Sequence, residues 1–511
     1  MGANRPGLSC SVFVLVICLL KGTFAWAQHR APTDFTVRPY LQLGDKAKAS
    51  SLENLDVIWF APTNSDKWQI YMKRQGTEDW REQGAPACQS VVAPMKTYRF
   101  SGKISGLLPG SPFQYRLLKN GKLVFQARGT TRKSNLEPYR IVLFGDMGAN
   151  TDAQRKVAYR IFQKKPDALV FLGDIVYDYG TFSEYLEEFF PIYNAAKASP
   201  TSGAPLLQST PGIAILGNHD VALGDYKVGV NLDKYPDGLG YYTVWSQPLN
   251  GPLTDRTGPN VPKLAGSKEN ISRYLEAAGQ RYPRMSNFSF DYGNSHWLVL
   301  DANPYMDWTN AALRNWVTKD LAGASSAKWK FVCCHQAPFS FDVSHYKEQR
   351  MRLLCDIFEK EGVDVVFCGH AHDYQRSFPL TFEIQKENGK PHINEDGTID
   401  GNFHLDKSFD GVKNTNPKGI IYIVSGAGGA KLYPSVKDTM PWVDGVFTDK
   451  FIGDTHSFTV CDVSAGHLDL KQISEDGVLL DHITISKQKQ KTQDSRSQTG
   501  LSSVGTSRST K

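Results

Sequence analysis

Seven short apolar runs between Tyr139 and Val424 constrain this chain more than any other feature: Ile141–Phe144, Ala168–Leu172, Ile213–Leu216, Trp297–Leu300, Lys330–Cys334, Val363–Phe367 and Ile420–Val424. Runs of this length without polar alternation are buried on both faces, as in strands inside a layered sheet. Helical patterns fit between them at Asp152–Lys164, Asn310–Leu321 and Lys347–Lys360. The expectation is an α/β layered sandwich over residues 138–485. With 511 residues the chain exceeds what one core usually supports, roughly 250–300 residues. The preceding stretch, 33–133, reads differently. There Asn54–Phe60, Lys67–Lys73, Thr97–Phe100 and Phe113–Leu118 are strand-like, and Lys119-Asn-Gly-Lys122 is a hairpin turn signal, so a small all-β sandwich is expected. Ser, Asn and Pro between Lys133 and Tyr139 mark the boundary.

The two ends carry different signals. Arg5 precedes the apolar run Ser11–Leu20, and Ala25-Trp-Ala27 offers small residues at a cleavage site, so residues 1–27 read as a signal peptide and the protein as secreted or periplasmic. No later run is long enough to span a membrane. The formal charge of +6 gathers partly in a basic, Ser- and Gln-rich tail, 486–511, which has almost nothing to bury and is expected to be disordered. The body is then near neutral, and no nucleic-acid partner is predicted. Of eight cysteines, Cys10 and Cys18 fall in the signal. Four of the remainder, Cys333, Cys334, Cys355 and Cys368, sit in apolar runs as small hydrophobes. One bridge is possible in an exported protein, and spacing does not choose its partners. Oligomeric state is not encoded legibly.

Polar residues follow the apolar runs directly: Gly145-Asp146-Met-Gly148, Gly173-Asp174-Ile-Val-Tyr177-Asp178, Gly217-Asn218-His219-Asp220, His335-Gln-Ala-Pro338 and Gly369-His370-Ala-His372-Asp-Tyr374. Strand carboxyl ends are where open α/β sheets gather ligands. Two carboxylates, an amide oxygen, a phenol and three imidazoles suit iron, zinc or manganese rather than copper(I) or an iron–sulfur cluster. Glycines ahead of Asp146, Asp174, Asn218 and His370 permit tight turns. A lone strand followed by Gly-Asp is usually only a turn, but five such segments find one common explanation in a dinuclear centre. Gly426-Ala-Gly-Gly-Ala-Lys431 lacks the rest of a phosphate loop and reads as a sheet-end turn. Val221–Tyr292, with Tyr241, Tyr242 and Trp245, is a long insertion expected to wall the site.

In this order, the five motifs resemble the metallophosphoesterase signature in its purple acid phosphatase form. Gly148 stands where related enzymes carry a histidine, and Tyr177 accompanies that exchange. Gly106-Leu-Leu-Pro-Gly110 followed by Tyr115 resembles a turn and buried tyrosine of fibronectin type III domains, whose hydroxyl satisfies a backbone group. The resemblance implies an acid phosphatase: hydrolysis of phosphate monoesters by metal-bound hydroxide at a centre of Fe(III) plus a divalent metal (Fe, Zn or Mn). It implies Asp146, Tyr177 and His372 on the ferric ion, Asn218, His335 and His370 on the divalent ion, and Asp174 between them. His219 becomes a phosphate binder and His345 the leaving-group acid. On their own residue chemistry, Asp220 is expected to orient His219, and Tyr374 and Arg376, which complete the motif, to pack and pair. A phosphodiesterase or nucleotidase on the same metals is the alternative, and an exported binding protein with an inactive fold the third reading. The partner in either enzyme reading is a phosphorylated small molecule. Asp220, Cys334 and Gln336 depart from the commoner residues of the motif and bear on specificity.

Overall fold

The computed structural model of the chain describes residues 34–48, 50–135, 137–222, 229–436 and 445–487. The expected signal peptide and nearly all of the basic tail lie outside the described residues.

Two large sheets face each other across one core. In the first, Tyr139–Phe144, Ala168–Phe171 and Gly212–Ala214 run parallel, as their unbroken apolar sequences require. Antiparallel strands Ser457–Val463, His467–Ser474 and Leu479–Ser486 extend one edge. In the second, Ser295–Leu300, Trp329–Cys334, Val365–Cys368 and Ile421–Ser425 are parallel neighbours, with Phe288–Tyr292, Tyr374–Ser377 and Thr448–Ile452 completing seven strands. Ile141, Leu143, Val170 and Ile213 of the first sheet share a buried cluster with Trp297, Phe331, Phe367 and Ile421 of the second. The opposite faces are covered. Helix Asp152–Lys164 and segments within 182–285 pack on the first sheet, and helices Ala311–Gly323 and Cys355–Lys360 on the second. Helix, sheet, sheet, helix is the expected α/β layered sandwich.

Helix Asp152–Lys164 starts where Thr151 accepts from the Gln154 amide, and it ends where Lys165 turns left-handed. The third expected helix is shorter than its pattern. Residues Arg350–Leu354 form a tight turn, and regular helix begins only at Cys355. The Arg352 guanidinium there donates to the Pro338 and Ile399 carbonyls (2.9 and 2.8 Å), which holds the turn against neighbouring loops.

The N-terminal strands form a sandwich of their own, with Trp59, Trp68, Phe100 and Tyr115 at its centre. Asn120 and Gly121 take the left-handed turn of the Lys119–Lys122 hairpin. One of its sheets is continuous with the first large sheet, because Gln42 pairs in parallel with Gly212. Tyr115 donates to a backbone carbonyl, but that carbonyl belongs to Gln208 (2.8 Å), so the hydroxyl ties the sandwich to the α/β layers. Arg132 does the same at the other end. It is 1% exposed, pairs with fully buried Glu53 (2.9 Å), and donates to the carbonyls of Lys46, Ala47, Lys48 and Asp291.

A second ion cluster, centred on buried His296, clamps the hairpin Phe288–Leu300 onto helix Ala311–Gly323. His296 lies between Asp291 and Asp320, both at 2.8 Å. Burial alone would lower its pKa, but hydrogen bonds to the two carboxylates overcome that and raise it to about 9. A raised folded-state value means the clamp contributes its full stability below about pH 6.5 and loses it as pH rises through 9. The expected result is that His296→Asn destabilises the protein by about 3 kcal/mol at pH 6 and much less at pH 10. Denaturant titrations of both proteins at the two pH values check this, and an equal difference at both would mean that His296 is uncharged.

Candidate metal centre

The five motif loops leave strands of both sheets at the same carboxyl edge, three from the first sheet and two from the second. Their backbones interlock. Asp146 N–H donates to Gly173 O (3.1 Å), and Gly369 N–H donates to His335 O (3.0 Å). His370 N–H reaches Asp146 Oδ2 (2.8 Å), and His219 N–H reaches Asp174 Oδ1 (2.8 Å). Asp146, Asp174 and His370 all sit at positive φ (58°, 47° and 70°), a conformation concentrated at functional sites. The glycines serve close approach. A Cβ on Gly217 would collide with the Asp174 amide and carboxylate, and one on Gly173 with the His335 ring.

These loops bring six of the seven expected ligands into a buried cluster. Asp146, Asp174, Asn218, His335, His370 and His372 are all below 8% exposed, and Tyr177 is half-buried beside them. Donor atoms of Asp174, His335 and His370 lie within 4.8 Å of one another, and so do those of Asp146, Asp174 and His372. The two sets share Asp174. Asn218 Oδ1 is 3.0 Å from His335 Nε2, and the Tyr177 hydroxyl is 3.1 Å from His372 Nε2 and 3.4 Å from Asp146. His335 Nδ1 faces the Leu172 carbonyl and His372 Nδ1 the Lys431 carbonyl, both at 2.7 Å. Each ring is thereby oriented with Nε2 inward, as metal-binding histidines are oriented.

The electrostatics call for a cation. Burial, opposed by His335 and reinforced by Asp174, pushes the Asp146 carboxyl well above its usual range. Asp174 is held low despite burial, because His335 and His219 lie beside it. His335 is raised to about 10, against its own burial, by the same two carboxylates. Burial and nearby carboxylates push the Tyr177 phenol well up. Among the described residues no lysine or arginine pairs with Asp146 or Asp174 within 4.0 Å. Hard and borderline donors gathered around two buried carboxylates faced by imidazoles fit a pair of metal ions.

The flanking residues are partly as expected. The His219 ring lies tilted against Tyr177, ring centroids 4.3 Å apart, and its Nε2 is 3.9 Å from Asp174. Asp220 does not orient it. That carboxylate is fully buried and accepts from Gly217 N–H (2.9 Å) and Ile175 N–H (3.2 Å), pinning two motif loops together, while His219 Nδ1 faces Asp178 O (3.3 Å). His345 is not a lone loop histidine: its ring centroid is 3.8 Å from that of His370. Sequence reading missed the residue that joins them. Glu348 meets His345 Nδ1 at 2.9 Å and His370 Nε2 at 3.1 Å. The His-x-x-Glu spacing was its only signal, and it lay inside a segment read as helix. Tyr433, stacked on His372 at 4.2 Å, was also missed.

Tyr241, Tyr242 and Trp245 are fully buried in the core of the first layer, so they form no wall over the site. The Gly426–Lys431 segment is the expected turn, its Gly428 and Ala430 amides donating to Gly145 and Asp146 carbonyls. Tyr374 and Arg376 pack and pair, both meeting Asp481.

Comparison with known proteins agrees with this geometry. The calcineurin-like phosphoesterase family model matches residues 139–374. Acid phosphatase type 7 of Homo sapiens is 23% identical over 452 residues, covering 84% of this chain and 87% of that protein. Probable inactive purple acid phosphatase 1 of Arabidopsis thaliana is 25% identical over 441 residues, covering 79% and 60%. The chain spans about three fifths of the length of the curated relatives it matches first. The structure of purple acid phosphatase PPD1 from yellow lupin seeds superposes with a TM-score of 0.62 at 17% identity, covering 88% of this chain and 74% of that one. Residues 139–374 thus form a calcineurin-like phosphoesterase domain, in a chain whose sequence and structural homologues include purple acid phosphatases.

Proposed function

We propose that this protein is an acid phosphatase that hydrolyses phosphate monoesters at a centre of one Fe(III) and one divalent metal. The observation that carries the reading is the pair of donor sets sharing Asp174. Asp146, Tyr177 and His372 would hold the ferric ion, Asn218, His335 and His370 the divalent one, and Asp174 both. Bound there, the metals supply Lewis acidity toward the phosphoryl group and acidify water at low pH.

The remaining steps belong to side chains. His219, at the rim beside Asp174, offers a ring N–H to a phosphate oxygen. His345 has Nδ1 engaged by Glu348, so Nε2 is the atom left to protonate the departing oxygen. Glu348 also meets His370 Nε2, so one carboxylate orients both rings. Export through residues 1–27 supplies the compartment in this reading. Among the described residues no helix is long and apolar enough to cross a membrane.

The test combines elemental analysis with rates on a monoester, a diester and a nucleotide at several pH values. The expected result is about two metal ions per chain, at least one of them iron, with monoester turnover dominant. Diester turnover with negligible monoester turnover would replace the reading by a phosphodiesterase, and inactivity with every substrate on fully loaded protein by a binding protein. Tyr177 is checked in the same samples: iron-loaded wild type is expected to absorb visible light, and Tyr177→Phe to lose that band. A colourless wild type with verified ferric iron would remove Tyr177 from the ligand set.

A further inference from the structure

We propose that Cys334 and Cys368 are a disulfide site, stapling the two strand ends that deliver His335 and His370. The sequence leaves the pairing of any bridge open, and the fold narrows it. Strands Trp329–Cys334 and Val365–Cys368 are adjacent and parallel, and the pairing of Cys333 with Phe367 sets Cys334 opposite Cys368. Neighbouring strands lie about 4.8 Å apart, inside the range of roughly 4.4–6.8 Å between Cα atoms that a disulfide tolerates.

The two sulfurs are 3.5 Å apart, and both residues are fully buried. Among the described residues no other cysteine pair makes such a contact. Cys333 points to the opposite face of the sheet with Cys461, Cys355 meets the Tyr422 hydroxyl, and Cys88 is exposed on the sandwich. Placement gives the bridge its consequence: Cys334 immediately precedes His335, and Cys368 stands two residues before His370.

The reaction is thiol–disulfide exchange with a small disulfide such as oxidised glutathione. One cysteine thiolate attacks the glutathione S–S bond, forming a mixed disulfide and releasing one glutathione thiol. The second cysteine displaces the other glutathione. Two protein thiols are oxidised, one glutathione disulfide is reduced, and both protons end on glutathione. Burial in the finished fold places the exchange at the stage when the strands pair and a small oxidant still reaches the sulfurs. Cys334 gives up its thiol contact to the Gln336 carbonyl (3.4 Å), the next turn of the His335 loop.

The competing explanation is that both thiols only fill space in the core. The experiment refolds the full chain in glutathione buffers from reducing to oxidising, blocks free thiols with iodoacetamide, and maps peptides by mass spectrometry. The expected result is a Cys334–Cys368 linked peptide under oxidising conditions that disappears on reduction. Cys334→Ala and Cys368→Ala should each abolish it and free the other thiol. The oxidised wild type should also melt a few degrees higher than the reduced form, with no such difference in Cys368→Ala. Both thiols alkylated in every buffer, or either linked to Cys333 or Cys461, would overturn the site. A linked form melting no higher than the reduced one would overturn the staple.

Discussion

Asp174→Asn is expected to lower phosphatase turnover by about a thousandfold or more while the chain remains folded. Asp174 alone belongs to both donor sets, so its loss weakens each metal position, whereas any other ligand serves one. The substitution keeps the size of the side chain and removes its charge. It also replaces one of two donor oxygens by an amide N–H₂, since the carboxylate accepts from His219 N–H at one oxygen and lies 3.2 Å from His335 Nε2 through the other. Metal content is expected to fall from about two ions per chain to fewer than one. Elemental analysis, circular dichroism and a monoester assay on the same preparation separate loss of metal from loss of fold. Wild-type turnover with both metals present would place the reaction elsewhere. The same change in a binding protein with an inactive fold would alter metal content without an activity to lose.

The site was more legible in the sequence than its surroundings. Each ligand loop follows a fully apolar strand and begins with glycine or directly at the strand end, so composition and spacing marked the turn and the donor together. Asp146, Asp174 and His370 even required the left-handed backbone that such loops supply. What stayed hidden depends on pairings distant in sequence. Gln42 beside Gly212 makes the sandwich and the α/β layer one sheet, and neither local pattern contains that register. Tyr241, Tyr242 and Trp245 have the composition of a binding wall, yet their hydroxyls and rings are satisfied inside the core, Tyr241 by the Ala214 and Met285 carbonyls. Glu348 is a different kind of omission. An apolar period suggested helix from Lys347, but regular helix begins only at Cys355, and outside it Glu348, although exposed, reaches two histidines.

Arg132→Met should lower the unfolding free energy by about 3–5 kcal/mol, the effect expected when one partner of a buried ion pair is removed. The methionine fills part of the space but leaves the Glu53 carboxylate without its cation in a site with no exposure. Four backbone carbonyls, of Lys46, Ala47, Lys48 and Asp291, lose the guanidinium as well, though Ala47 keeps the Asp291 amide. Glu53→Gln combined with Arg132→Met should recover part of the loss, because the stranded charge is gone while the carbonyls still lack the guanidinium. Arg132→Lys should recover little, since an ammonium group cannot reproduce the planar fork that reaches five acceptors. The effect should spread along the junction. Asp291, whose carbonyl Arg132 holds, also accepts from His296 and donates its own amide to Ala47 O (2.8 Å). Arg132→Met and His296→Asn are therefore expected to be non-additive, as residues sharing a partner are. Denaturant titrations of the single and double variants at pH 6 measure the coupling. A loss below about 1 kcal/mol for Arg132→Met would mean that the sandwich is held to the α/β layers mainly by the Gln42–Gly212 register and the Tyr115 hydroxyl. Arg132 touches none of the metal donors, so metal content and turnover of the folded variant should match the wild type even as its stability falls.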